Sequence, residues 1–225
     1  MKLVAAWSGG KDSCFACYKA IQKGHSVSNL LVMMSDSRES NFHMIPADML
    51  DAQSQVINIP IVKCPTTLEA YEKDFKKALL EMKGQGVEGI VTGDVFDVAM
   101  HEAGWLDRIC NEVSLTPVRP LWYRDTKQIL TEFINDGFKA TLVRINTDKL
   151  EMEWLGREIN KEFFDDLLKL GTVDPCGEHG EFHTFVTDGP LFKTHQIEIL
   201  ESEKMKLNGN GRLVIKSFEV KSKGS

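Results

Sequence analysis

The sequence predicts an α/β fold, a parallel sheet followed by a small α+β lobe, on three observations. The apolar run Leu3-Val4-Ala5-Ala6-Trp7 reads as a strand that passes through Gly9-Gly10 into a helical segment. Runs of strand length and helix length then alternate to about residue 147, a pattern that puts helices on both faces of a parallel sheet and a ligand at the strands' carboxyl ends. Beyond that point come one helix, a stretch rich in glycine, acids and histidine, and two strand-like runs around a hairpin signal.

Taken in order, Ser13–Lys23 is expected to be a helix closed by Gly24, and Val27–Met34 a strand. Residues 35–43, including His43, read as a polar loop. Pro46–Asn58 follows as a helix with proline in its first turn, Pro60–Lys63 as a short strand and Thr67–Lys83 as a long amphipathic helix. Gly89 to Asp94 repeats the strand-then-glycine pattern, so Gly93 and Asp94 are expected at the same carboxyl edge as the first glycines. His101–Val113 reads as a helix with His101, Trp105 and Arg108 on one face, Pro117–Trp122 as extended, and Thr126–Asp136 as a helix ended by Gly137. Lys139–Asn146 is expected to be the last strand of the first domain, giving domains at 1–147 and 148–225. In the second, residues 158–170 read as a helix, Phe182–Val186 as a strand, and residues 194–201 and 212–221 as strands joined by Asn208-Gly209-Asn210-Gly211.

The stretch Ser8-Gly9-Gly10-Lys11-Asp12-Ser13 carries the clearest chemistry. A strand that ends in glycines and enters a helix presents backbone N–H groups and the positive end of a helix dipole, which is a phosphate cradle. Gly9 and Gly10 admit an anion close to the backbone, Ser8 and Ser13 add hydroxyls, and Lys11 adds a charge. Asp12 would repel a bare phosphate and is read as a ligand for a magnesium ion bridging phosphates. Neither G-x-x-x-x-G-K-[ST] nor G-x-G-x-x-G fits the spacing.

A chain of 225 residues with 42% apolar residues can bury a real core. No apolar run approaches the roughly 20 residues of a membrane span, and the N-terminus enters a strand directly, so a cytoplasmic protein is expected. The formal net charge of −6 argues against nucleic acid as the bulk substrate. Five dispersed cysteines do not form a disulfide framework. Cys14-Phe15-Ala16-Cys17 at a helix start is either a redox pair or core packing.

The second concentration of chemistry is Asp174 to Val186. On a strand at Phe182–Val186, alternation sends Phe182, Thr184 and Val186 to one face and Glu181, His183 and Phe185 to the other. Glu178 and Glu181 could bind an amine, deprotonate ammonium or position magnesium, and the histidines suit proton transfer. Cys176, His179 and His183 lack a fourth nearby ligand for zinc.

The hexapeptide SGGKDS resembles the PP-loop of the N-type ATP pyrophosphatases, which adenylylate a substrate and release pyrophosphate. With Gly93-Asp94, PLW at 120–122, WLGR at 154–157, GEHGEFHTFV at 177–186 and DGPLF at 188–192, the chain is similar to the diphthine–ammonia ligase family. Better characterised members carry GEGGEFET where this chain has His179 and His183, as in a sister branch. The resemblance implies a Rossmann-like, HUP-type nucleotide domain over residues 1–147 and a substrate-binding lobe over 148–225. It implies ATP and Mg2+, with Ser8, Gly9, Gly10, Lys11, Asp12, Ser13, Met33, Gly93 and Asp94 at the nucleotide, Asp12 on the metal, and Lys11, Glu178 and Glu181 catalytic. The implied reaction activates a carboxylate as an acyl-adenylate and amidates it with ammonia. The acceptor would be diphthine on elongation factor 2 where the source makes diphthamide, and a homo-oligomer is expected. Two other readings stay open: sulfur transfer to a nucleic acid base through a cysteine persulfide, and an ATP-binding module without chemistry.

Overall fold

The computed structural model describes residues 1–35, 44–97 and 102–224. It divides into two compact units, one of Met1–Ser8 with Asp12–Tyr123 and one of Gly9–Lys11 with Arg124–Ser225.

In the first unit, β1 (Lys2–Ala6), β2 (Ser26–Met34), β3 (Ile61–Pro65), β4 (Gly89–Val91) and β5 (Thr116–Val118) form a parallel sheet in the order β3-β2-β1-β4-β5. The helices are α1 (Lys11–Gln22), α2 (Ala47–Ile57), α3 (Tyr71–Gly84) and α4 (Trp105–Val113). Strand order reverses on either side of β1, so the segments after β1 and β4 border the crevice where such sheets bind ligands. Phe75, Ala78, Leu79 and Met82 of α3 and Leu106, Ile109, Cys110 and Val113 of α4 pack with Val4, Leu31, Met33 and Ile90 of the sheet. These positions recur at three and four residues, so each helix buries one stripe. Helix α4 starts at Trp105 because Gly104 takes a left-handed φ of 74°. His43 and His101 lie outside the described residues.

The second unit holds α5 (Thr126–Asn135), β6 (Lys139–Asn146), α6 (Lys161–Leu170), β7 (Phe182–Asp188), β8 (His195–Leu207) and β9 (Asn210–Ser222). Its sheet is antiparallel in the order β7-β6-β9-β8. Both helices open with side-chain caps: the carboxylate of Asp125 accepts from Gln128 N–H and the amide oxygen of Asn160 from Phe163 N–H, each at 2.9 Å. Strand β9 pairs with β6 only at Arg144–Asn146, while further along β6 the segment 156–159 takes its place through bonds such as Ile159 N–H to Ala140 O at 2.7 Å. Asn208 and Gly209, both at positive φ, turn β8 into β9 as a two-residue hairpin.

This corrects the reading of Lys139–Asn146. It is β6 of the antiparallel sheet, paired with β7 from Lys139 to Ile145, and the division falls after Tyr123 rather than at 147. Alternation marks a strand with one buried face and says nothing about its partners. Among the described residues, no helix is long and apolar enough to cross a membrane.

Candidate functional site

In the first unit the end of β1 is fixed by Trp7 N–H to Leu31 O at 2.8 Å and by the Trp7 indole donating to Gln53 Oε1 at 2.9 Å. Ser8 then closes on the first turn of α1: its N–H reaches Ser13 Oγ at 3.3 Å and the two hydroxyls lie 3.1 Å apart. Gly9 has φ 80°, a conformation that costs glycine nothing and lets the chain swing directly into the helix. Asp12 lies in that first turn, where the helix dipole favours a carboxylate.

Gly93 comes from the neighbouring strand end. A Cβ added there would stand 2.6 Å from Ser13 N and closer still to the carbonyl carbon of Asp12, so the close approach of the two strand ends requires glycine. Asp94 follows. Burial pushes its carboxyl above the usual range and the charges of Asp12 and Asp97 push the same way, against the Thr92 hydroxyl and Arg119. The phenol of Tyr71 is raised by burial and then by the charges of Asp94 and Cys64. Ser8, Asp12, Ser13 and Gly93, with Asp94 following, therefore lie at the start of α1. Facing carboxylates beside a helix N-terminus suit a divalent cation. Among the described residues, no group of three or more His, Cys, Asp or Glu is arranged to hold a metal.

The peptide Gly9–Lys11 belongs to the second unit, where Gly9 O accepts from Val186 N–H at 2.9 Å and Lys11 N–H donates to Thr184 Oγ1 at 3.0 Å. Lys11 is only 3% exposed. Its ammonium donates to the carbonyl of Cys176 and lies 5.4 Å from the centre of the Phe182 ring, so the charge is fixed in place. Thr184 and Phe182 share the strand face that alternation assigned them.

The loop before β7 is organised by two acids. Asp174 Oδ1 accepts from the N–H groups of Cys176 at 2.8 Å and Glu178 at 3.3 Å, and its Oδ2 from the Thr126 hydroxyl at 2.8 Å. Glu181 is 2% exposed; its oxygens accept from Asp174 N–H at 3.2 Å and His179 N–H at 2.9 Å. Glu181 thus closes the loop on itself, while Glu178 stays partly exposed. Asp174 and Thr184 were not singled out as site residues from the sequence. The signal for Asp174 was an acid two residues before an N–H in a Pro-Gly loop, and for Thr184 its place on the face of Phe182.

Met33, near the C-terminal end of β2, is buried in the same core cluster as Phe75, Leu79 and Ile90. Cys14 and Cys17 are fully buried; burial pushes the first thiol well above its ordinary value and the second to about 12, which removes the basis for a redox pair. The Cys176 thiol donates to Thr126 O at 3.4 Å. Trp122 is covered by Arg119 at 4.2 Å, not by Arg124, which pairs with Glu132 at 2.5 Å. Arg157 does lie over Trp154, at 4.4 Å, and bonds Asp166.

With this geometry the chain can be set beside known proteins. The diphthine–ammonia ligase of Danio rerio is 27% identical over 218 residues, covering 86% of this chain and 84% of that one. That of Mus musculus is 25% identical over 218 residues, covering 86% and 81%. That of Schizosaccharomyces pombe is 24% identical over 216 residues and much longer, so the match covers 86% of this chain and 35% of its relative. A solved structure described as a predicted subunit of tRNA methyltransferase from Methanocaldococcus jannaschii DSM superposes at TM-score 0.47 with 16% identity, over 84% of this chain and 98% of that one, too loosely to carry an argument. Residues 1–117 match the model of the diphthamide synthase N-terminal domain and residues 125–220 that of the diphthamide synthase C-terminal domain, and the chain therefore belongs to the diphthamide synthase family.

Proposed function

We propose that this chain is an ATP-dependent amide ligase that releases AMP and pyrophosphate. The observation that supports the reading is the close approach of Gly93, the residue before Asp94, to Asp12 and Ser13 at the N-terminus of α1, where helix N–H groups are available to phosphates. The amidation follows from relatives named diphthine–ammonia ligase. A carboxylate oxygen of the acceptor attacks the α-phosphorus of ATP and pyrophosphate departs. Ammonia then attacks the acyl carbon, the bond to AMP breaks and a proton is lost. Mg2+, held by Asp12 and Asp94, would offset phosphate charge. The helix N–H groups and the Ser8 and Ser13 hydroxyls stabilise the charge that grows on pyrophosphate. Glu178 accepts the proton from the amine, and Glu181 is a positioning residue that holds its loop. The acceptor is diphthine on elongation factor 2 where the source makes diphthamide, and the reaction belongs to the cytoplasm.

The test is cleavage of α-labelled ATP with magnesium, ammonium and either a protein fraction or a small-molecule extract of the source cell. AMP and pyrophosphate are expected with one of them; ADP and phosphate would sink the reading, and nucleotide binding without cleavage would favour a sensing module. Sulfur transfer is disfavoured because the thiols of Cys14, Cys17, Cys64 and Cys110 are all raised, burial being the largest cause in each.

A further inference from the structure

Strands β7, β6 and β9 lie side by side, and one rung across them consists of basic residues. Arg144 of β6 is directly opposite His183 of β7 on one side and Arg212 of β9 on the other. Directly opposed residues of an antiparallel ladder share a face, with side chains close enough to interact. The adjacent rung, Phe182, Ile145 and Gly211, is buried. The basic row therefore occupies the opposite face of the sheet, away from the face on which Phe182 and Thr184 meet Lys11. All three of its side chains are half-buried. The Arg144 guanidinium also donates to Asn210 Oδ1 at 3.2 Å, two residues along β9 from Arg212.

Like charges opposed across a ladder destabilise a sheet. Here burial, and then the charge of Arg212, hold the Arg144 guanidinium below its ordinary pKa. Two guanidinium groups and an imidazole placed together present a fan of N–H donors that matches an oxyanion, and an arginine fork matches a carboxylate with two parallel bonds. His183 is next in the chain to Thr184, which accepts from Lys11 N–H, and the row lies on the other face of that strand.

We propose that His183, Arg144 and Arg212 form a receptor for a carboxylate of the acceptor. This rests on the ligase reading, and it defines the acceptor as an anion gripped by the second unit. The probe is succinate, added to the full-length, nucleotide-free protein at constant pH and ionic strength, with inorganic phosphate as a second arm. The readout is the ring-proton resonance of His183, assigned by its loss in His183→Asn. A saturable shift with succinate is expected, weakened about tenfold in Arg144→Gln and in Arg212→Gln, the loss of one charged contact each. Thermal melting shows which variants are folded; if Arg144→Gln is not, Arg144→Lys and Arg212→Gln decide. No saturable shift with succinate, a response to phosphate alone, or unchanged affinity in both folded variants overturns the receptor. AMP formation is scored separately, so succinate binding with no AMP under any condition overturns the ligase reading and leaves a carboxylate receptor standing.

Discussion

Lys11 and Thr184, 173 positions apart, meet through a 3.0 Å bond from the main-chain N–H of the first to the hydroxyl of the second. Both are buried, so the bond is not shared with water. Thr184→Ala leaves the N–H without its acceptor and is expected to lower unfolding stability in urea by about 1–3 kcal/mol. Thr184→Ser keeps the oxygen and is expected to recover most of it. Equal melting of the two variants would show that the bond carries little.

Gly93→Ala tests the close approach of the two strand ends. The added Cβ meets main-chain atoms of Asp12 and Ser13, which have no flexible end to give way. A cost of about 1–3 kcal/mol is expected from overpacking, together with a raised KM for ATP, because the displaced atoms belong to the first turn of α1. Normal stability with normal nucleotide affinity would mean that the helix start is softer than its packing implies.

Glu181→Gln separates holding a loop from doing chemistry. Both carboxylate oxygens accept main-chain N–H groups, whereas glutamine offers one oxygen and turns an NH2 toward the other donor. Faster hydrogen exchange at the amides of Asp174 and His179 and a stability loss of about 1–3 kcal/mol are expected. A fall in kcat with exchange and stability unchanged would return Glu181 to a direct catalytic role.

The thiol of Cys17 gives a pH prediction. Its folded pKa is raised by burial from 9.0 to about 12, so above pH 9 the unfolded chain releases a proton that the folded chain retains. The stabilising difference is fully present below pH 9 and is lost as pH rises toward 12, at up to about 1.4 kcal/mol per pH unit. Cys17→Ala is expected to flatten that alkaline fall in a urea series, and native Cys14 and Cys17 are expected to resist iodoacetamide at pH 8. Ready alkylation of either would reopen the sulfur-transfer reading.

The parallel sheet was legible because β1, β2 and β4 are short apolar runs ending in turn signals, and the hairpin because Asn208-Gly209 is a pair that accepts positive φ. The partner of β6 was not legible, since Lys139–Asn146 has the same alternation in either sheet. Asp12, Asp94 and Gly93 could be assigned to one crevice from strand ends alone. Lys11 was legible as the charge of the loop, whereas the carbonyl of Cys176 that receives its ammonium is a contact that no local pattern encodes. The basic row across β7, β6 and β9 was equally hidden, because register is a property of paired strands and not of any one of them.

The interleaving of the two units also limits how the gene can be cut. The natural place for a truncation lies between the matched segments, after residue 117 and before residue 125. A fragment expressed from there would lose Gly9–Lys11, and with it the carbonyl that receives Val186 N–H and the donor for Thr184. Its outer strand would be left as a raw edge, ready to pair with another copy and precipitate. A soluble C-terminal fragment would therefore need a short peptide spanning Gly9–Lys11, grafted or supplied in trans, to seal that edge.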